Sequence, residues 1–290
     1  MQNQLSVRIV IIILFLIPSS LYAQLERQRA NPDRPVELTF MAPRNINLYT
    51  VEALAEGELH YSIMHTFGEV KSGIQNLYGI DRGANIRFSF EYGLTDHFSI
   101  GFGRSSVDKV YDITSRINML QQNRSDKIPV SISLIPTFGI TTIDFGFLDK
   151  PYSLIERFNY GLSLPVARKF NDKLSLQISP MLVHFNRIGN ELNVATPQQN
   201  NYYSLSLSGR YKVSPRTALS FQLIPPVSDM QKRDTNIAIG IDIETGGHVF
   251  QMFFTTSRAL NDQYLLAMDN GNFFNREFRF GFNINRLFGL

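Results

Sequence analysis

The chain has 290 residues, 43% of them hydrophobic and 12% aromatic, with a formal net charge of +3 and no cysteine. That charge is too small to argue for nucleic acid, and without cysteine a disulfide framework or a lipid-anchored cysteine is excluded. The length left after an export signal fits one large all-β domain.

Met1 to Ala23 reads as that signal. Arg8 supplies the positive region, Ile9 to Ile17 is an unbroken apolar run, and small Ala23 suits cleavage before Gln24. The run is about nine residues, whereas a spanning helix needs roughly twenty. Removing Arg8 lowers the net charge from +3 to +2. Gln24 to Gly57 follows, rich in charge and proline (Pro32, Pro35, Pro43), with a helical turn expected at Val51 to Ala55. It reads as a periplasmic lead-in or small plug, and 58–290 as the barrel proper.

From Glu58 the pattern has period two. Asn85 to Arg104 is the clearest stretch: Ile86, Phe88, Phe90 and Tyr92 alternate with polar residues, a break follows at Gly93 to His97, and Phe98, Ile100 and Phe102 resume the alternation. This predicts two strands and a tight turn, one face apolar and the other polar. The unit recurs about twelve times: Glu58 to Phe67, the two strands just described, Lys109 to Leu120, Val130 to Phe138, Phe158 to Arg168, Leu174 to Phe185, Tyr202 to Val213, Thr217 to Ile224, Asn236 to Glu244, His248 to Thr256 and Phe274 to Arg286. Most are near the length a tilted strand needs to cross a bilayer. The expected fold is a closed, antiparallel transmembrane β-barrel of the outer membrane, with both termini on the periplasmic side. Pro136, Pro165 and Pro180 fall inside strands, which predicts bulges or strand ends there and a change of phase near Pro180.

Connection lengths point the same way. The inner turns are Gly93 to His97, Gln121 to Pro129, Lys169 to Lys173, Ser214 to Arg216 and Thr245 to Gly247, and all but the second are tight. The outer connections are long, except Ser105 to Asp108. A soluble β-sandwich has no reason to sort its loops by side, and favours shorter strands.

The stretches VEALAEGELHYSIMHTFG (Val51 to Gly68), YGIDRGANIRFSFEYGLTDHFSIGFGRSS (Tyr78 to Ser106), ARKFNDKLSLQISPMLVHFNR (Ala167 to Arg187), GIDIETGGHVFQMFFTTSRALND (Gly240 to Asp262) and FRFGFNINRLF (Phe278 to Phe288) resemble a family of uncharacterised outer-membrane β-barrels of Gram-negative bacteria, a domain of unknown function. The resemblance covers about Arg44 to Phe288. The family pattern places arginine after the histidine of the first strand, where this chain has Thr66. The resemblance implies the barrel fold and brings no activity, so no functional residue follows from it.

The inward phase predicts lumen-lining charges at Arg87, Glu91, Asp112, Arg116, Arg210, Asp242, Glu277 and Arg279. Charges so placed must pair or meet water. His60-Tyr61-Ser62 resembles the His-x-Ser pair of barrel phospholipases, with both side chains on one strand face, but no orienting asparagine is identifiable and the motif is short. His65, His97, His184 and His248 lack metal-ligand spacing, and the glycines near Gly79 to Gly83 lack the context of a phosphate loop. Phe67, Tyr92, Tyr203 and Tyr211 suit an interfacial girdle. The reading is a non-enzymatic barrel, either a narrow channel or a structural and docking protein, with no catalytic residue, metal or cofactor. Its expected partners are outer-membrane lipids, small solutes or a periplasmic protein, and no nucleic acid. The alternative is a phospholipase- or protease-like barrel enzyme.

Overall fold

The computed structural model describes residues 33–144, 153–187, 200–227, 234–268 and 270–289. The signal-peptide reading lies outside the described residues. A hairpin, β1 (Arg44–Asn45) and β2 (Leu48–Tyr49), precedes the main sheet. The sheet comprises β3 (Glu58–Glu69), β4 (Asn85–Thr95), β5 (Phe98–Ser105), β6 (Val110–Leu120), β7 (Ser131–Thr141), β8 (Phe158–Ser163), β9 (Val166–Lys169), β10 (Leu174–Phe185), β11 (Asn201–Ser214), β12 (Thr217–Ile224), β13 (Asn236–Glu244), β14 (His248–Thr255) and β15 (Arg279–Gly289). Each pairs antiparallel with its neighbours, and β15 returns to β3 with Ile284 opposite Ile63. The result is a closed barrel of 12 strands, because β8 and β9 are two halves of one crossing. Closure leaves no edge with unpaired backbone groups, which is what permits strands to sit in lipid.

The alternation in sequence becomes inside and outside. Phe88, Ile113, Leu162, Leu219 and Ile239 are exposed on the outer wall, while Arg87, Asp112, Ser163, Ser220 and Asp242 are buried within. Tight turns lie at one rim: Asp96-His97 between β4 and β5, Pro215-Arg216 between β11 and β12, and Gly246-Gly247, both at positive φ, between β13 and β14. The long connections lie at the other.

The three strand prolines have different outcomes. Pro165 breaks its crossing: β8 ends at Ser163 and β9 begins at Val166. Pro136 stays within β7 without a bulge, and the β6–β7 register passes from Thr114↔Thr137 to Ile117↔Leu134, leaving Pro136 and Ile135 unpaired on that side. Pro180 neither bulges nor ends β10, which pairs with β11 without interruption. Its missing donor points to the gap at Leu164-Pro165, where Leu164 N donates to Pro180 O at 3.0 Å. Pro165 faces the other way, its carbonyl accepting from Ser133 N of β7 at 3.1 Å, so the two missing donors fall on different sides of the interrupted crossing. The phase of β10 does not change either. Its inward residues simply pass from Ser175, Gln177 and Ser179 to Met181, Val183 and Phe185, because an apolar insert covers that half of the wall.

Two further expectations are corrected. The helical turn at Val51 to Ala55 does not form: Val51 N donates to Gln177 Oε1 at 3.2 Å and Ala55 N to Glu58 Oε2 at 2.8 Å, so side chains take the donors that a helix needs. The last strand begins at Arg279, since Phe273–Asn275 is a 3-10 turn capped by Asn272, whose side chain accepts from Phe274 N and Asn275 N.

Candidate functional site: a lumen filled from both ends

From the tight-turn rim, the lead-in rises into the barrel. Pro35 bridges Asn123, with Val36 N donating to Gln122 O at 2.7 Å, so the one long inner turn clasps the incoming chain. The β1–β2 hairpin then sits within a ring of inward side chains. Asn45 Nδ2 donates to Phe221 O at 3.0 Å, and Asn47 N to Gln222 Oε1 at 3.2 Å. Gln177 Nε2 donates to Tyr49 O at 2.8 Å, Gln251 Nε2 to Arg44 O at 3.1 Å and Asn283 Nδ2 to Ile46 O at 2.7 Å. Tyr49 OH donates to Thr114 Oγ1 at 3.1 Å. The anchoring side chains come from β6, β10, β12, β14 and β15, around the whole wall. Each such bond contributes about 0.5–1.5 kcal/mol, so their number rather than any one fixes the hairpin. Ile46, at its tip, has φ 56°, a region that costs a β-branched residue strain. Asn283 holds its carbonyl, and its side chain packs on Ala238 and Phe253.

From the long-loop rim, residues 257–268 fold inward and are buried almost throughout. They carry helix α1 (Asp262–Ala267). Tyr264, Leu265 and Leu266 pack with Met181, Val183, Phe185, Tyr202 and Ile224, on the arc of wall formed by β8, β10, β11 and the end of β12. Tyr264 OH donates to Asp108 Oδ2 at 2.9 Å, and its ring meets Phe185 edge-on at 5.3 Å. The two inserts touch: Leu48 joins the same apolar cluster, and Arg44 Nη1 lies 3.4 Å from Asp262 Oδ1. Burial pushes the carboxyls of Asp262 and Glu52 up, against the pull of Arg44 on the first and of the Phe40 N–H and Arg210 on the second.

Six of the eight predicted lumen charges face this interior and are buried. Arg87 forks onto Asp112 at 2.5 and 2.6 Å. Arg116 Nε donates to Glu91 Oε1 at 2.7 Å, while its Nη atoms reach Thr50 O and Pro43 O of the lead-in. Arg210 donates to Thr39 O at 2.7 Å and to Leu38 O; Asp242 accepts from Ser220 Oγ at 3.0 Å. The other two lie at the long-loop rim. Arg279 pairs with Glu69 at 2.6 Å. Glu277 precedes β15, in the loop, and accepts from Lys71 at 2.9 Å. Arg44, Gln177, Gln222, Gln251 and Asn283 also hold the hairpin, and none of them is among the predicted lumen charges. Long amides at inward positions are the signal that would have found the last four, since they reach a guest that serine cannot. Asp262 and Tyr264 carry no such signal.

His60 does have an asparagine partner, Asn285 Oδ1 at 3.1 Å. Ser62, however, is fully buried, and its Oγ makes no hydrogen bond among the described residues, so the nucleophile–base contact is missing. Thr66, where the family pattern has arginine, donates its hydroxyl to Arg258 O at 2.7 Å and tethers the outer insert. Among the described residues, no group of three or more metal-ligating side chains comes together.

A closed, lipid-facing wall around a lumen occupied by its own chain defines a transmembrane β-barrel. The chain belongs to the family of the membrane bound beta barrel domain (DUF5777), which matches residues 40–288. No curated protein matches it. Among solved structures it is similar to the NanC porin, with 8% identity over 80% of this chain and 99% of that one, at a TM-score of 0.49. It is also similar to an outer membrane channel from Pseudomonas putida F1, with 16% identity, 82% and 98% coverage and a TM-score of 0.49. The KdgM porin in complex with disordered oligogalacturonate gives 8% identity, 80% and 99% coverage and a TM-score of 0.46.

Proposed function

We propose that this is a non-enzymatic outer-membrane channel held closed by its own lead-in. The single observation that carries the reading is the contrast between the two inserts. α1 packs against an apolar arc as a core does. The lead-in hairpin has apolar contacts only through Ile46 and Leu48, and otherwise meets a polar wall through side chain–backbone hydrogen bonds on nearly every side. Polar, separable interfaces of this kind are typical of contacts that open, whereas apolar ones are typical of permanent packing. In this reading the lead-in is the removable stopper and α1 a fixed constriction along one side of the passage. Arg87, Glu91, Asp112, Arg116, Arg210 and Asp242 then hold the closed state rather than select ions. Export would remove residues 1–23, the tight turns and the lead-in would face the periplasm, and small solutes would be the cargo.

The test is conductance in a planar bilayer, comparing the mature chain with a variant lacking residues 24–50, with lipase and protease assays in parallel. The mature chain should be silent or open rarely, and the variant should give steady small currents. Silence from a variant that folds and inserts would sink the channel and leave a sealed scaffold. Hydrolysis by the mature chain would favour the enzyme.

A further inference from the structure

At the long-loop rim, outside the lumen contacts just described, lies a cavity of about 650 Å³, a volume that holds a small solute. It sits between the end of β3, the connection 70–84, and Arg258 and Arg279. Four of its lining residues are cationic (Lys71, Arg82, Arg258 and Arg279) and one is acidic, Glu69. Two more carboxylates stand behind this lining, Glu277 against Lys71 and Asp108 near Arg258, and the balance of four against three is still positive. Glu69 serves both Arg279 and Lys71. Arg82 makes no ion pair among the described residues. Ser72, also in the lining, has a buried hydroxyl that makes no hydrogen bond among the described residues.

The loop that carries Ser72 and Arg82 is held in place. Gly79 approaches the Gly68 backbone so closely that a side chain at Gly79 would collide with it. Leu77 and Tyr78 are both left-handed, at φ 44° and 52°, a strained pair of the kind that persists where the surroundings fix it, often at binding sites. The cavity is thus preformed, cationic, and supplied with an uncommitted guanidinium and an uncommitted hydroxyl.

We propose that this cavity binds a phosphate-type oxyanion, with Arg82 and Ser72 as its direct ligands and Arg258 supplying field. Guanidinium forks match tetrahedral oxyanions, and hydroxyls complete such sites as donors. The group has two sources, a soluble phosphorylated solute or the phosphates of a surface lipid.

The test uses the mature chain in detergent, titrated with inorganic pyrophosphate by calorimetry, and flotation with vesicles containing diphosphorylated lipid A. Arg82→Ala should weaken binding about tenfold and Ser72→Ala by less, while Arg216→Ala at a tight turn of the opposite rim should change nothing. Pyrophosphate binding that depends on Arg82 assigns the soluble source, and Arg82-dependent flotation without it assigns the lipid. No binding of either probe by folded protein, or equal binding by Arg82→Ala, overturns the proposal. These readouts are binding alone and do not depend on whether the barrel conducts.

Discussion

Arg44 and Asp262 meet inside the barrel at 3.4 Å, although their segments enter from opposite ends. Arg44 also donates to Asn47 O at 2.5 Å and lies 3.6 Å above the Tyr49 ring. One side chain therefore folds the hairpin and joins it to the outer insert. Asp262→Ala would leave a buried guanidinium without its carboxylate, a change that costs about 3–5 kcal/mol when a buried pair is broken from one side. The lead-in of Asp262→Ala should be cut by chymotrypsin after Tyr49 faster than that of the parent, and Arg44→Met with Asp262→Leu, which leaves that site intact, should restore most of the resistance. Unchanged protection in the single variant would mean that the contact does not hold the inserts together.

The wall pair Arg87–Asp112 obeys the same arithmetic. Asp112→Ala strands Arg87 in the interior, and should lower the denaturation midpoint by the equivalent of about 3–5 kcal/mol. Arg87→Met with Asp112→Leu should lie close to the parent, because an apolar pair carries no desolvation penalty. Urea titration followed by heat-modifiable mobility reads both. Equal losses in single and double variants would show that the pair contributes more than mutual neutralisation.

Substitutions on the two faces of the wall should separate by mechanism. Arginine at Phe88, Leu162 or Phe280 faces lipid and costs about 2–4 kcal/mol at the membrane midplane, so assembly should fail. A filled lumen makes the inward neighbours intolerant of bulk as well. Ser163→Ala should be within about 1 kcal/mol of the parent, since it removes only a hydroxyl. Gly281→Ala should destabilise clearly, because a Cβ there collides with the Phe253 ring. Yields in outer-membrane fractions rank the set, and a stable Gly281→Ala would show that Phe253 can move aside.

The chain has no cysteine, so an engineered pair reports without background. Asn47→Cys with Gln222→Cys, at the hairpin tip and the wall residue that accepts from its N–H, should cross-link with a short bifunctional thiol reagent in intact membranes. Cross-linked protein should stay silent in a bilayer. If the closed state is only transient in the membrane, the cross-linking yield will be low.

The sequence alone determined the wall. Period two across Ile86 to Tyr92 or Tyr111 to Met119 is a local property, since each residue's face is set by its neighbours and by lipid on one side, and loop lengths record which rim is which. Arg87, Arg116 and Asp112 were legible as inward charges for the same reason. What fills the lumen was not legible. Arg44 reaches Asp262 across 218 positions of chain, and Asn45 reaches Gly209 O across 164, contacts that no period encodes. Met181, Val183 and Phe185 looked like a slip of phase, because a strand pattern cannot tell an apolar residue facing lipid from one facing a helix folded into the barrel. Pro180 looked like a break, because its missing donor is harmless only beside the gap that Pro165 leaves in the neighbouring crossing. Those decisions belong to the tertiary structure, which alone brings distant polar groups close enough to satisfy one another out of water.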